Sequence, residues 1–157
     1  MIWLIATSTL LHMLDFSVDD GGVVESGNSG QWEYGISSSS LSEGLNVWGT
    51  VLDGSYLSQS FDVLTVTVPD FDAAAVPMLA LRHRYEIETG DIARLEGFRD
   101  GAWHVVDPVY GYPSSGGFSG ESSGWEDTAF QLDAWRGVSQ FRFVFTSDSM
   151  GVADGWF

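Results

Sequence analysis

Pro77-Met-Leu-Ala-Leu-Arg-His-Arg-Tyr-Glu-Ile-Glu88 alternates with a period of two. Leu79, Leu81, His83, Tyr85 and Ile87 fall on one face of an extended chain. Ala80, Arg82, Arg84, Glu86 and Glu88 fall on the other. This is the pattern of a half-buried strand, and it recurs in both directions. Towards the end, Phe141, Phe143 and Phe145 oppose Gln140, Arg142 and Val144. Before it, Leu57 to Val68 reads as a strand in which Val63, Thr65 and Thr67 alternate with Leu64, Val66 and Val68. Residues 92–99 and 102–106 flank Asp100-Gly101, a dipeptide favoured in tight hairpin turns. The apolar faces of 79–87 and 141–145 are expected to meet in the core, with Trp48 and Phe130 nearby.

Shorter segments complete an all-β outline. Residues 11–18 run into the turn signal Asp19-Asp-Gly-Gly22. Trp32-Glu-Tyr-Gly35 and Val47–Thr50 are short strand candidates, as is Phe130-Gln-Leu-Asp133, after which Ala134–Gly137 turns the chain. Ser37–Ser40 reads as a loop, and Ser114–Gly124 as a long flexible one. No helical periodicity and no fixed-period repeat is present. Many short strands with turns at this spacing predict a jelly-roll β-sandwich of two antiparallel sheets.

Composition limits the function. At 157 residues the chain is read as a single domain with room for a sizeable core. It carries 22 acidic residues against 6 Lys plus Arg, all of them arginine, for a net charge of −16. Such a chain repels phosphate backbones, which argues against nucleic-acid binding. The acidity is open to three readings: solubility, calcium ligation or life in high salt. With no cysteine, disulfides and Cys-ligated metals are excluded. Calcium, which takes carboxylate and carbonyl oxygens, can staple such a domain instead. Met1–Leu14 is apolar but lacks a basic start and a small-x-small cleavage site, and it is too short to span a bilayer. It reads as a first strand, or a lead-in to one, ahead of a signal remnant.

The stretch Asn46-Val-Trp-Gly-Thr-Val-Leu-Asp-Gly-Ser-Tyr56, a later Arg142-Phe-Val-Phe-Thr-Ser-Asp148 and a terminal Asp154-Gly-Trp156 form an ordered set. Gly21-Gly22, Trp32–Gly35, Tyr85–Asp91, Trp125 and Phe130–Leu132 lie between and before them. Together, over about residues 15–157, they resemble the MAM-like jelly-roll domain attached to secreted bacterial peptidases of the immune inhibitor A type. The resemblance implies an accessory β-sandwich without catalytic machinery, in an exported protein. It would contact carbohydrate, a protein surface or neighbouring domains of a parent chain. It also implies calcium where the first and last strands approach each other. Two departures stand out. Ser17 occupies a position where the family commonly has an acidic residue. The family also continues past the Gly-aromatic pair into an Asp-rich final strand, so a strand is expected to be missing after Phe157.

Three groups of residues can carry chemistry. The candidate calcium ligands are Asp19, Asp20, Asp53, Asp91, Asp148 and Asp154, with Glu25 beside the first two; any single aspartate among them can equally be a turn former bonding its own backbone. Tyr110, Tyr112 and Trp125 are candidate ligand-stacking aromatics, against the alternative that they pack in the core. Glu86 and Glu88 share a strand face, with roots roughly 7 Å apart. That suits the two carboxylates of a jelly-roll glycoside hydrolase, the alternative enzymatic reading. Arg82 and Arg84 share their face and can instead neutralise them. No His-Glu-x-x-His motif and no nucleophile elbow occurs. Gly27-Asn-Ser-Gly30 and Gly117-Phe-Ser-Gly120 have the wrong spacing. His83, on the apolar face, reads as a hydrogen-bonded core histidine.

Overall fold

The computed structural model describes residues 1–6, 9–38 and 43–157. Its strands are β1 (Ile2–Ala6), β2 (Thr9–Leu14), β3 (Val24–Gly27), β4 (Glu33–Ile36), β5 (Asn46–Gly49), β6 (Phe61–Thr67) and β7 (Pro77–His83). They continue as β8 (Tyr85–Ile87), β9 (Ile92–Arg99), β10 (Ala102–Val105), β11 (Gly120–Glu121), β12 (Glu126–Gln131), β13 (Gln140–Thr146) and β14 (Gly155–Trp156). The one helical element described is a 3-10 turn at Asp133–Trp135.

Every strand ladder is antiparallel. One sheet has the order β10-β9-β13-β6-β3. Facing it are β12-β7-β1-β2 and β11-β8-β14. These two join into one layer because β8 prolongs β7 across Arg84, whose N–H and C=O both pair with Phe157 at 2.9 Å. β4 and β5 form a separate ribbon. The protein is thus the all-β sandwich that the alternation predicts.

Burial follows the period-two pattern. Leu79, Leu81, His83, Tyr85 and Ile87 are all buried, and so are Phe141, Phe143 and Phe145. Each phenylalanine so buried stabilises the fold by about 1.5–3 kcal/mol. Trp156 sits among them, with ring centroids 5.7 Å from both Phe143 and Trp32 and 6.0 Å from Phe118. Phe130 is fully buried, while Trp48 is half-buried against the same cluster. The Trp48 indole N–H donates to the Asp20 carbonyl at 3.0 Å.

The sequence pattern around Trp48 meets the end of the chain here. Thr50 N–H donates to the Trp156 carbonyl at 3.0 Å, and Trp156 N–H donates to Thr50 Oγ1 at 2.9 Å. Gly155 lies at φ +107°, and a Cβ there would collide with Thr50 Oγ1. Glycine is therefore required on both steric and conformational grounds. β1 and β14 lie end to end along β7 and β8: Ile2 pairs with Leu81 and Trp156 with Tyr85.

Several boundaries differ from expectation. Met1–Leu14 forms two strands, β1 and β2, rather than one; Thr7 and Ser8 lie outside the described residues. The strand expected from Leu57 begins only at Phe61, because Gln59 turns the chain at φ +58°. Of Phe130–Asp133, Phe130 and Gln131 end a longer strand, β12, and Asp133 opens the 3-10 turn. The Ser/Gly-rich loop 114–124 is tied down. Phe118 is buried, exchanges backbone hydrogen bonds with Ala93 at 3.0 and 2.7 Å, and meets the His83 ring edge-on at 4.5 Å. One apolar residue outweighs the polar composition around it. Of the expected loop 37–40, Ser39 and Ser40 lie outside the described residues.

Candidate functional site

The turn after β8 brings acidic groups together. Glu88-Thr-Gly-Asp91 reverses the chain, with Asp91 N–H donating to the Glu88 carbonyl at 3.1 Å. Gly90 makes this possible at φ +117°. Thr146 at the end of β13 pairs with Ile92 at the start of β9, so Asp148 arrives beside the turn. Oxygen atoms of Glu88, Asp91 and Asp148 all lie within 4.8 Å of one another. A Cβ on residue 90 would stand 2.9 Å from Asp148 Oδ2, so glycine also leaves the space that this carboxylate uses.

Asp91 is 0% exposed. Its Oδ2 accepts from the Tyr56 hydroxyl at 2.6 Å, and its Oδ1 accepts from Asp148 N–H at 2.7 Å. The Tyr56 oxygen in turn accepts from Glu88 N–H at 2.9 Å. Burial, then the hydrogen bond to Asp91, pushes the Tyr56 phenol above its ordinary value. Asp148 Oδ1 accepts from Met150 N–H at 2.6 Å. Glu88 Oε2 is buried without a hydrogen-bond partner.

Among the described residues, no arginine is ion-paired to this cluster. The six arginines are ion-paired elsewhere: Arg82 with Asp127, Arg84 with Glu43, Arg94 and Arg142 with Glu96, Arg99 with Asp100, and Arg136 with Asp133. Like charges at this separation repel by about 3 kcal/mol per pair in an effective dielectric near 20, and by less where the exposed Asp148 is screened by water. A hard divalent cation relieves that repulsion and takes oxygen ligands only. The residues fit such an ion: three carboxylates converge, one with an orphaned buried oxygen, beside a glycine that keeps the space open. The buried acidic cluster can therefore hold a metal.

The remaining candidate ligands are dispersed. Asp19 and Asp20 are exposed, and each accepts from the backbone N–H two residues on, at Gly21 and Gly22, at 2.9 Å. Asp53 accepts from the backbone N–H of Ser38 at 2.8 Å and from its hydroxyl at 2.5 Å. The hydroxyl bond, then the backbone bond, holds its carboxyl below the usual range. Asp154 is half-buried ahead of β14, and Glu25 is half-buried on β3. None of these joins the Glu88 cluster. The glutamate pair of the hydrolase reading is split. Glu86 is exposed between Gly155 and Glu121 of the neighbouring strands, whereas Glu88 belongs to the acidic cluster.

The aromatic candidates separate too. Tyr110 and Tyr112 line an open groove of ≈ 400 Å³ together with Tyr85, Phe118, Glu126 and Asp127. Trp125 lines different cavities, beside Val47 and Arg82. Tyr112 is a wall of the groove whose hydroxyl is committed: it accepts from Leu95 N–H at 3.0 Å and donates to the Val106 carbonyl at 2.8 Å. Burial raises its phenol above the ordinary value.

Beneath the groove, His83 Nδ1 accepts from the Trp156 indole N–H at 2.9 Å. Indole only donates, so the imidazole proton is on Nε2, which faces Thr128 Oγ1 at 2.9 Å and Glu126 Oε1 at 3.5 Å. Burial lowers the His83 pKa to about 3, so the ring is neutral near pH 7.

No protein-family model matches the chain. The chain is similar to Bacillopeptidase F of Bacillus subtilis (strain 168). The two are 26% identical over 160 aligned residues, which cover 91% of this chain and 10% of the relative. The chain thus spans about one tenth of the length of the curated relative it matches. Tyr56 and Glu88 make contacts in the acidic cluster that their residue types alone did not reveal. The Glu88-x-x-Asp91 spacing across a glycine was the available signal. For Tyr56 there was none, because its partner is 35 residues away.

Proposed function

We propose that this chain is a non-catalytic accessory domain of a longer, exported bacterial protein. It is a MAM-like jelly roll stapled by calcium at Glu88, Asp91 and Asp148, and it contacts carbohydrate, protein or neighbouring domains. The carrying observation is the fully buried Asp91, held within 4.8 Å of two further carboxylates while every arginine is engaged elsewhere. A bound cation would tie the β8–β9 turn to the segment after β13, and through Tyr56 to the stretch beginning at Asn46. Alignment to a tenth of a peptidase supports an accessory role outside the catalytic part, and an extracellular setting for the parent chain. Among the described residues no helix is long and apolar enough to cross a membrane.

Thermal unfolding in EDTA and then in millimolar calcium, each at low and high sodium chloride, tests the staple. An ion that binds only the folded state at a hundred times its Kd adds about 2.7 kcal/mol, which raises Tm by roughly 5–10 °C in a chain of this size. A rise specific to calcium supports the site. Stabilisation by sodium chloride alone, equal with and without calcium, overturns it and leaves the acidity as an adaptation to solvent.

A further inference from the structure

The groove between the 108–113 loop and β12 has a chemistry of its own. Its loop is stiffened by Pro108 and Pro113, each with φ restricted by its ring. Val109 N–H donates to the Ala129 carbonyl at 2.8 Å, which fixes the loop against the edge of β12. The Tyr112 and Phe118 rings meet edge-on at 5.0 Å and form an aromatic wall. Tyr110 stands on the rim, 99% exposed. Large apolar rings are seldom left fully in water on a rigid loop without a partner to cover them.

Charge decides what that partner is. The groove is lined by two carboxylates, Glu126 and Asp127, and by no basic side chain. Asp127 is loosely paired with Arg82 at 3.7 Å, both being well exposed. Glu126 faces only the neutral His83, so its charge is uncompensated. Partial burial raises the Glu126 pKa, while its side chain, 38% exposed, stays open to a ligand from the groove. An anionic ligand would meet Glu126 unpaired, and a neutral sugar would leave its charge unbalanced. An ammonium or guanidinium group answers the carboxylates and the negative faces of the aromatic rings together. The net charge of −16 draws such a ligand in from a distance.

We infer that this groove binds a cationic side chain, the lysine or arginine of a basic peptide segment, with Tyr110 over its stem and Glu126 at its charged head. This names a partner for the accessory domain proposed above and rests on that reading, but it requires no metal at Glu88, Asp91 and Asp148. The melting experiment and the titration below therefore fail independently.

The test is titration with Nα-acetyl-lysine methylamide, its uncharged analogue Nα-acetyl-norleucine methylamide, and chitotetraose, following the NMR resonances of Tyr110 and Thr128. At about 0.15 M salt, where diffuse attraction is largely screened, the lysine probe is expected to bind at least about tenfold more tightly than norleucine. Glu126→Gln should weaken it by about tenfold, and Tyr110→Ala by a comparable factor. Asp100→Asn removes one charge at a distant turn and should leave binding unchanged. Equal binding of lysine and norleucine overturns the inference, as does equal weakening by Asp100→Asn and Glu126→Gln. So does a response of the groove to chitotetraose but not to lysine, which would make it a sugar site.

Discussion

Glu96 and Asp91 lie on the same sheet-forming segment, both withdrawn from water, and the chain treats them in opposite ways. Glu96 is 4% exposed and receives two guanidinium groups, Arg94 at 2.7 Å and Arg142 at 2.6 Å. The Arg142 guanidinium is further held over the Trp103 ring at 4.3 Å. Asp91 is 0% exposed and receives a phenol, a backbone N–H and two more carboxylates. Glu96 is a finished ion-pair network, complete in the chain itself. Asp91 belongs to an acidic cluster that has no arginine paired to it among the described residues. With only six arginines, the chain places two on one glutamate and none on this cluster, which leaves the second place able to hold a metal.

The largest effect should come from breaking the finished network. Glu96→Ala leaves two partly buried guanidinium groups without their partner and is expected to cost about 3 kcal/mol in urea unfolding. A loss below about 0.5 kcal/mol would mean that water already compensates both arginines. The unfinished cluster should respond with the opposite sign in the absence of metal. Asp91→Asn removes like-charge repulsion, so in EDTA the variant should be at least as stable as the parent. In saturating calcium it should lack the increment of about 2.7 kcal/mol that the parent gains. A variant as calcium-responsive as the parent would remove Asp91 from the site.

Tyr56→Phe takes one hydroxyl from between Asp91 and Glu88 without emptying the core. It should cost about 1–2 kcal/mol in thermal or urea unfolding, and more with calcium than without. Equal losses in both conditions would make Tyr56 a packing residue only. The effect that is smallest near neutral pH is a slope. His83 has its folded pKa lowered to about 3 against an unfolded value of 6.5. Between those values the unfolded chain binds a proton that the folded chain refuses, so stability falls as pH drops from about 6.5 towards 3. The slope reaches at most about 1.4 kcal/mol per pH unit. His83→Gln should lose that part of the acid sensitivity, and an unchanged pH profile in the variant would show that the folded and unfolded chains bind the His83 proton equally.

The sandwich was legible because its cause is local. Leu79 to Ile87 and Phe141 to Phe145 repeat every second residue, and a strand has no other way to bury such a set. Asp100-Gly101 marks its hairpin for the same reason, with both residues at positive φ. The misread boundaries were decided by contacts further off. Phe118 looked like one aromatic in a Gly/Ser loop until Ala93, Tyr112 and His83 supplied a place for its ring. Glu86 and Glu88 looked like a pair because alternation puts them on one face. That alternation ends with β8 at Ile87, which frees the Glu88 carboxylate to turn towards Asp148.

By itself the sequence determined that this chain is an acidic, cysteine-free β-protein whose apolar residues alternate, because side-chain direction along a strand depends only on neighbours one and two residues away. It also supplied the individual acids and aromatics from which any site must be drawn. Only the tertiary structure decided which of them meet. Asp148 reaches Asp91 across 57 residues, Tyr56 reaches it across 35, and Glu126 shares a groove with Tyr110 because the β12 edge and the 108–113 loop are pinned together. Charge and hydrogen-bond complementarity between distant segments is a property of the packed sandwich, and no local period in the sequence records it.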